Sequence, residues 1–119
     1  MIELFVDFKI QSPNIQEHWT KGHKRNKNNF LRLIAEWRKE PRVIKVPCTV
    51  TITRIYTSRQ KRMDDDNFAG ACKNIRDRLA NLIIPGLAHG RADDEDLGIT
   101  FLYAQERGVK AMFKIFVGE

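Results

Sequence analysis

Two stretches of this chain alternate apolar and polar residues with a period of two, while two others repeat near 3.6, so neither an all-helical nor an all-sheet fold satisfies the sequence. Ile2, Leu4, Val6, Phe8 and Ile10 alternate with Glu3, Phe5, Asp7 and Lys9, which predicts a half-buried strand ending at Ser12-Pro13-Asn14. Val46, Cys48, Val50 and Ile52 alternate with Thr49, Thr51 and Thr53, predicting a strand over 43–56 with one wet face. Phe30, Leu31, Ile34 and Trp37 fall at helical spacing within 29–40, and Pro41 supplies a stop. Phe68, Ala71 or Cys72, Ile75, Leu79 and Leu82 mark one face of a second helix over about 66–83. Between the first strand and the first helix, residues 15–29 are polar and basic without periodicity and predict a loop. Strands over 97–104 and 109–117, joined into a hairpin at Gly108, complete the order β-α-β-α-β-β. The expected fold is α+β, a single domain over 1–119 with a mixed β-sheet and two main helices. With 119 residues there is room for one hydrophobic core and not for two.

Charge is placed unevenly. Of the formal +6, residues 21–62 hold thirteen bases and two acids, whereas 1–20 and 63–119 are each net acidic. A basic surface of this density attracts a phosphate backbone. Directly after it comes Asp64-Asp65-Asp66, and carboxylates beside a basic patch repel phosphate unless a cation lies between them. The combination points to metal-assisted phosphate chemistry.

Asp64-Asp65-Asp66-Asn67 at a helix start and Asp93-Asp94 about 28 residues later supply hard oxygen ligands of the kind Mg²⁺ takes. In an extended stretch Asp64 and Asp66 would converge on one ion while Asp65 points away. A cation held there offsets the repulsion between acids and DNA, activates a water and stabilises a leaving 3′ oxygen in an in-line displacement. Taken singly, Asp64–Asp66 would be helix caps and residues 93–96 a solvated loop. The adjacent basic block gives the two clusters together a substrate.

The stretch Arg62-Met63-Asp64-Asp65-Asp66-Asn67 resembles the D-x-D-N signature of the RusA-like Holliday junction resolvases, and Ala92-Asp93-Asp94 resembles their second acidic motif. Pro13-Asn14 after the first strand, the basic loop with Trp19, Lys21, His23 and Lys24, and the element order match the family over nearly the whole chain. The resemblance implies a homodimeric endonuclease, dependent on Mg²⁺ (which Mn²⁺ can replace), that nicks opposed strands of four-way DNA junctions and is frequently encoded by phages and prophages. It places the catalytic, metal-holding aspartates on Asp64, Asp66 and Asp94. The family also has a required lysine one helical turn after the second aspartate, where this chain has Gly70. Lys73, one further turn along the same face, is the expected substitute, with Lys61 or Arg62 as alternative sources of the charge.

DNA contacts are expected from Trp19, by stacking on an unpaired base, and from Lys21, Lys24, Arg25, Lys27, Lys61 and Arg62. The competing reading of Trp19 is an aromatic packed on its own domain. His18, His23 and His89 have no zinc-ligand spacing, and Cys48 and Cys72 suit buried small hydrophobes better than a disulfide. Met63 and Phe68 are expected in the core. No apolar run is long enough for a membrane span and the first residues carry acids, so a cytosolic protein is expected, in a bacterial or phage-infected cell on the resemblance. From another functional class, a non-catalytic DNA-binding module would use the same basic block with the acids as mere caps, and a nuclease for other branched DNA is a third alternative.

Overall fold

The computed structural model describes residues 1–11, 17–40, 43–87 and 97–118. Its elements are β1 (Ile2–Val6), α1 (Trp19–Trp37), β2 (Cys48–Tyr56), α2 (Asp65–Ala71), α3 (Lys73–Ile83), β3 (Ile99–Arg107) and β4 (Met112–Gly118). The class is α+β, with a mixed four-stranded sheet in the order β1-β4-β2-β3. β4 pairs antiparallel with β1 and β2, and β2 pairs parallel with β3. It follows that β1, β2 and β3 all run the same way and end at one end of the sheet.

The expected terminal hairpin is not formed, because β3 and β4 flank β2 instead of each other. Composition explains the exchange. β4 reads Met-Phe-Lys-Ile-Phe-Val-Gly, with Phe113, Ile115 and Val117 buried and the other phase half-buried as suits a central strand, whereas β3 leaves Thr100, Leu102, Ala104 and Glu106 exposed as an edge strand can. Gly108 still turns the chain, for a different reason. Its N–H donates to the Tyr56 carbonyl at 2.9 Å, and a Cβ there would lie 2.4 Å from Ile55 Cγ2.

Three rows of side chains cross the covered face of the sheet. Ile2, Val117, Val50 and Phe101 form one, and Leu4, Ile115, Ile52 and Tyr103 the next. The third runs Val6, Phe113, Arg54, Gln105, so it is apolar on β1 and β4 and polar on β2 and β3. The helices cover the apolar part with Leu33, Trp37, Phe68, Ile75, Leu79 and Ile83, all buried. Both cysteines are free and buried, and desolvation pushes the Cys72 thiol up to about 12, so it is a small hydrophobe at neutral pH.

α1 begins ten residues earlier than the helix expected over 29–40 and absorbs most of the predicted loop, of which residues 15–16 lie outside the described residues. Its first two turns bury no apolar stripe, which is why periodicity misses them. They hold only Lys21, Lys24 and Arg25 as good helix formers and are secured locally. His18 caps the start by accepting from the Thr20 N–H at 3.3 Å, and Arg25 pairs bidentately with Glu17. The buried stripe is Asn29, Leu33, Trp37 at four-residue steps, leaving Leu31 55 % exposed. Asn29 belongs in it because its amide accepts from the Lys9 N–H at 2.9 Å and donates to the Lys9 carbonyl at 2.7 Å, fixing the chain just beyond β1.

The second expected helix is divided at Cys72, whose φ of −90° and ψ of 0° end α2 and precede α3, giving three helices where two were expected. Gly70 weakens the helix just before the division. β2 starts at Cys48 and not near residue 43, since Pro47 has no N–H to give the ladder; pairing opens with the Cys48 N–H on the Gly98 carbonyl at 2.8 Å. Val46 is consequently exposed, not inward, and Thr53, expected on the wet face, is buried on central strand β2 between Lys114 of β4 and Ala104 of β3. β3 and β4 also run to residues 107 and 118, each starting later than expected. Among the described residues no helix is long and apolar enough to cross a membrane.

Replacing Asn29 with alanine strands two backbone groups of Lys9 and is expected to cost about 1–2 kcal/mol, while Leu31→Ala on the wet side should stay within about 0.5 kcal/mol. Urea midpoints of the two variants check this, and equal losses would contradict the helix register.

Candidate active site

Where the third row of the sheet turns polar, the chain between β2 and α2 is strapped down. Gln105 Nε2 donates to the Met63 carbonyl at 2.8 Å, and Gln105 Oε1 accepts from the Met63 N–H at 3.0 Å. Arg54 Nη1 donates to the same Oε1 at 3.1 Å and to the Lys61 carbonyl at 3.0 Å. One side-chain amide thus mimics a strand partner for Met63, and the neighbouring guanidinium ties in Lys61. Desolvation holds the Arg54 guanidinium below its ordinary value, but both its acceptors are neutral. Phe68, buried to 1 % exposure with its ring against Tyr103 and Phe113, anchors α2 from the other side as expected. Met63 packs on the core.

This fixation presents the three acids in a way the sequence does not foretell. Only Asp64 lies in extended backbone; Asp65 and Asp66 are already in the first turn of α2, so strict alternation does not separate Asp65 from its neighbours. A cleft of about 360 Å³ opens here, walled by Asp65, Asp66, Arg62, Tyr103 and Gln105. Asp64 occupies the cap position without capping, since its side chain makes no hydrogen bond to the helix. Asp65 is engaged by Arg62 at 2.7 Å. Among the described residues neither Asp64 nor Asp66 has a hydrogen-bond or ion-pair partner. Two exposed carboxylates of this kind fit a hard cation that takes one or two protein ligands and fills its octahedron with water and phosphate. Among the described residues no three acidic, histidine or cysteine side chains come together as a metal cage. Asp93, Asp94 and His89 lie outside the described residues.

The lysine expectation changes with the helix division. Lys73 is the exposed first residue of α3 and is not among the walls of the cleft. The α3 cation that reaches a cleft residue is Arg76, which bonds the buried Asp77 at 3.2 Å. Burial pushes the Tyr103 phenol up, against the pull of the Arg76 guanidinium beside it. Arg54, Arg76, Tyr103 and Gln105 are therefore the site residues that sequence reasoning leaves out. Their signal is present in the strand phase. On β2 the inward series Cys48, Val50, Ile52 turns polar at Arg54, and on β3 the series Ile99, Phe101, Tyr103 turns polar at Gln105.

Away from this cleft, the basic half of α1 displays Lys21, Lys24 and Lys27 to solvent, with Arg25 partly covered by its Glu17 pair. Arg25 holds the Glu17 carboxyl below the usual carboxylate range. Lys61 and Arg62 are likewise exposed. Trp19 is 73 % exposed between the rings of His18 and His23, so it is not packed into the domain. Comparison with family models, with curated proteins and with solved structures gives no match in any of the three.

Gln105→Ala removes both bonds to Met63 and an acceptor of Arg54, and is expected to lower stability by about 1–2 kcal/mol. Amide exchange at Met63 should also accelerate by more than the global loss of stability accounts for. Exchange that only tracks the global loss would show that the strap does not hold the acid segment.

Proposed function

We propose that the chain is a Mg²⁺-dependent structure-specific endodeoxyribonuclease that resolves four-way DNA junctions by paired nicks. The observation that carries this reading is the pair of exposed carboxylates, Asp64 and Asp66, which have no partner among the described residues and stand at an acidic cleft with Arg62 in its wall, on a chain whose middle third is strongly basic. The resemblance of Arg62–Asn67 and Ala92–Asp94 to the RusA-like signatures supports the same activity. A DNA substrate in a bacterial or phage-infected cell puts the enzyme in the cytoplasm.

In this reading Asp64 and Asp66, with Asp94 on the strength of the resemblance, hold the ion. Mg²⁺ bound there supplies Lewis-acid stabilisation at the phosphoryl oxygens and lowers the pKa of a nucleophilic water. The protein's own groups do the rest. The Gln105 and Arg54 strap keeps the carboxylates in place without asking the DNA to order them. Arg62, in the cleft wall, is placed to balance charge at the phosphate when it leaves Asp65, and Lys73 remains the alternative the resemblance names. Lys21, Lys24, Arg25, Lys27 and Lys61 hold the backbone, and exposed Trp19 stacks on an unpaired base.

Asp64→Asn, Asp66→Asn and Asp94→Asn are each expected to abolish nicking of a synthetic four-way junction in Mg²⁺ while leaving junction binding intact or tighter. Asp65→Asn should do much less, since its carboxylate already serves Arg62. The assay runs beside linear duplex and flap substrates. Preferred cutting of flaps would move the activity to another branched DNA, and tight binding without any cutting would leave a DNA-binding module.

Two strands cut symmetrically are most simply matched by a two-fold axis in the protein, so a homodimer is expected. Sedimentation should give twice 13.9 kDa, on DNA if not free. An active enzyme that stays monomeric in both states would refute it.

A further inference from the structure

The carboxyl ends of β1, β2 and β3 share one end of the sheet, and three concavities follow one another across it. Beyond β1 a groove of about 270 Å³ is formed by Lys9, Lys21, Lys24, Arg25, Asn28 and Arg32. A smaller one of about 130 Å³ adjoins it, sharing Lys9 and extending to Arg54 and Gln60. Arg54 in turn bonds Gln105, a wall of the acidic cleft at the β3 edge. Lys9 and Arg54 are thus joints between successive depressions, and both are held. Asn29 fixes the backbone of Lys9 from inside α1, and Lys61 and Gln105 fix the guanidinium of Arg54.

Part of the positive charge along this line is uncompensated, although Asp7 lines the middle groove. Among the described residues Lys21, Lys24 and Arg32 have no carboxylate within ion-pair distance, and the neighbours of the Arg54 guanidinium are a carbonyl, an amide oxygen and the Tyr56 ring, none of them a carboxylate. Of the groove's five cations, only Lys9 and Arg25 have acidic partners, Asp7 and Glu17. β1 and β3 are separated by three strand steps, about 14 Å at the usual inter-strand spacing. That is about four base-pair rises of 3.4 Å along the axis of a duplex.

We propose that this end of the sheet is a continuous track for the backbone of one DNA strand, entering over Lys21, Lys24 and Arg32, passing Lys9 and Arg54, and ending at the acidic cleft. The proposal rests on DNA being the substrate, and adds Lys9, Arg32 and Arg54 as phosphate contacts that the charge pattern alone does not single out. A linear ligand with evenly repeated negative charge matches cations set at intervals across three strand ends.

The test is binding of a labelled four-way junction in EDTA, where no cutting takes place, at several salt concentrations. Wild type, Arg32→Gln, Arg54→Gln and their double variant are compared with Lys45→Gln, an exposed lysine ahead of β2 at the opposite end of the sheet. Each track variant should bind more weakly and lower the slope of log K against log salt by about 0.9, the double variant by about 1.8, with Lys45→Gln unchanged. Urea midpoints show that each variant is folded. If Arg54→Gln does not fold, Lys9→Gln replaces it. Wild-type affinity and slope in the track variants would overturn the track, and nicking by the wild type would then leave the nuclease reading standing. A wild type that neither binds nor nicks DNA overturns both. Competition by poly-glutamate as effective as by DNA, and equally weakened by Arg32→Gln, would assign the surface to an acidic polypeptide and overturn the DNA track.

Discussion

β2 runs parallel to β3, and a parallel pair cannot be closed by a tight turn. The chain leaving β2 at Tyr56 has to travel back across the sheet before Ile99 can begin, and α2 and α3 lie in that return. The start of the return must sit at the carboxyl end of β2, so Asp64, Asp65 and Asp66 are placed beside the last inward residues of β2 and β3. Parallel neighbours also bring Arg54 opposite Gln105 in register, which makes the strap on Lys61 and Met63 available. Strand direction therefore decides both where the acids are and what holds them.

The inward phase of the sheet carries two kinds of work. Its first two rows are apolar and bury Val50, Ile52 and Ile115 completely. Its third row is apolar on β1 and β4 but polar on β2 and β3, and there a side-chain amide satisfies backbone groups that no strand partner reaches. A hydrophobic pair at Arg54 and Gln105 would have extended the core by one layer. The segment bearing the acids would then have had to find its hydrogen bonds in water, and its position would have been looser.

Much of the fold was legible because burial leaves a period. The helical face Phe68, Cys72, Ile75, Leu79 is buried as its spacing predicts, and β1 and β2 lie within the alternating runs, although β1 stops at Val6 where alternation continues to Ile10 and β2 begins at Cys48 and not at Val43. The first half of α1 was not legible, since Lys21, Lys24 and Lys27 face water and a helix held by capping and an ion pair has no apolar rhythm to read. Strand order was hidden for another reason. Gly108 marks a turn, but whether the next strand pairs with its predecessor or crosses to the far side of β2 depends on which of the two strands fills a central position, a tertiary property. At the candidate site the acids stood out as a motif, whereas Gln105 and Arg54 looked like ordinary polar residues of strands until partners from 40 or more positions away were known, as with Gln105 and Met63.

The two tryptophans occupy opposite environments. Trp37 is buried at the end of the α1 stripe, and Trp19 stands out from the other end of the same helix between two imidazoles. The chain thereby has two intrinsic fluorophores that answer different questions. Emission from the buried indole follows the integrity of the core, and emission from the exposed one, open to quenching by its histidine neighbours and by collisional agents in solvent, follows what approaches the start of α1. Iodide separates the two optically in the unlabelled wild-type protein.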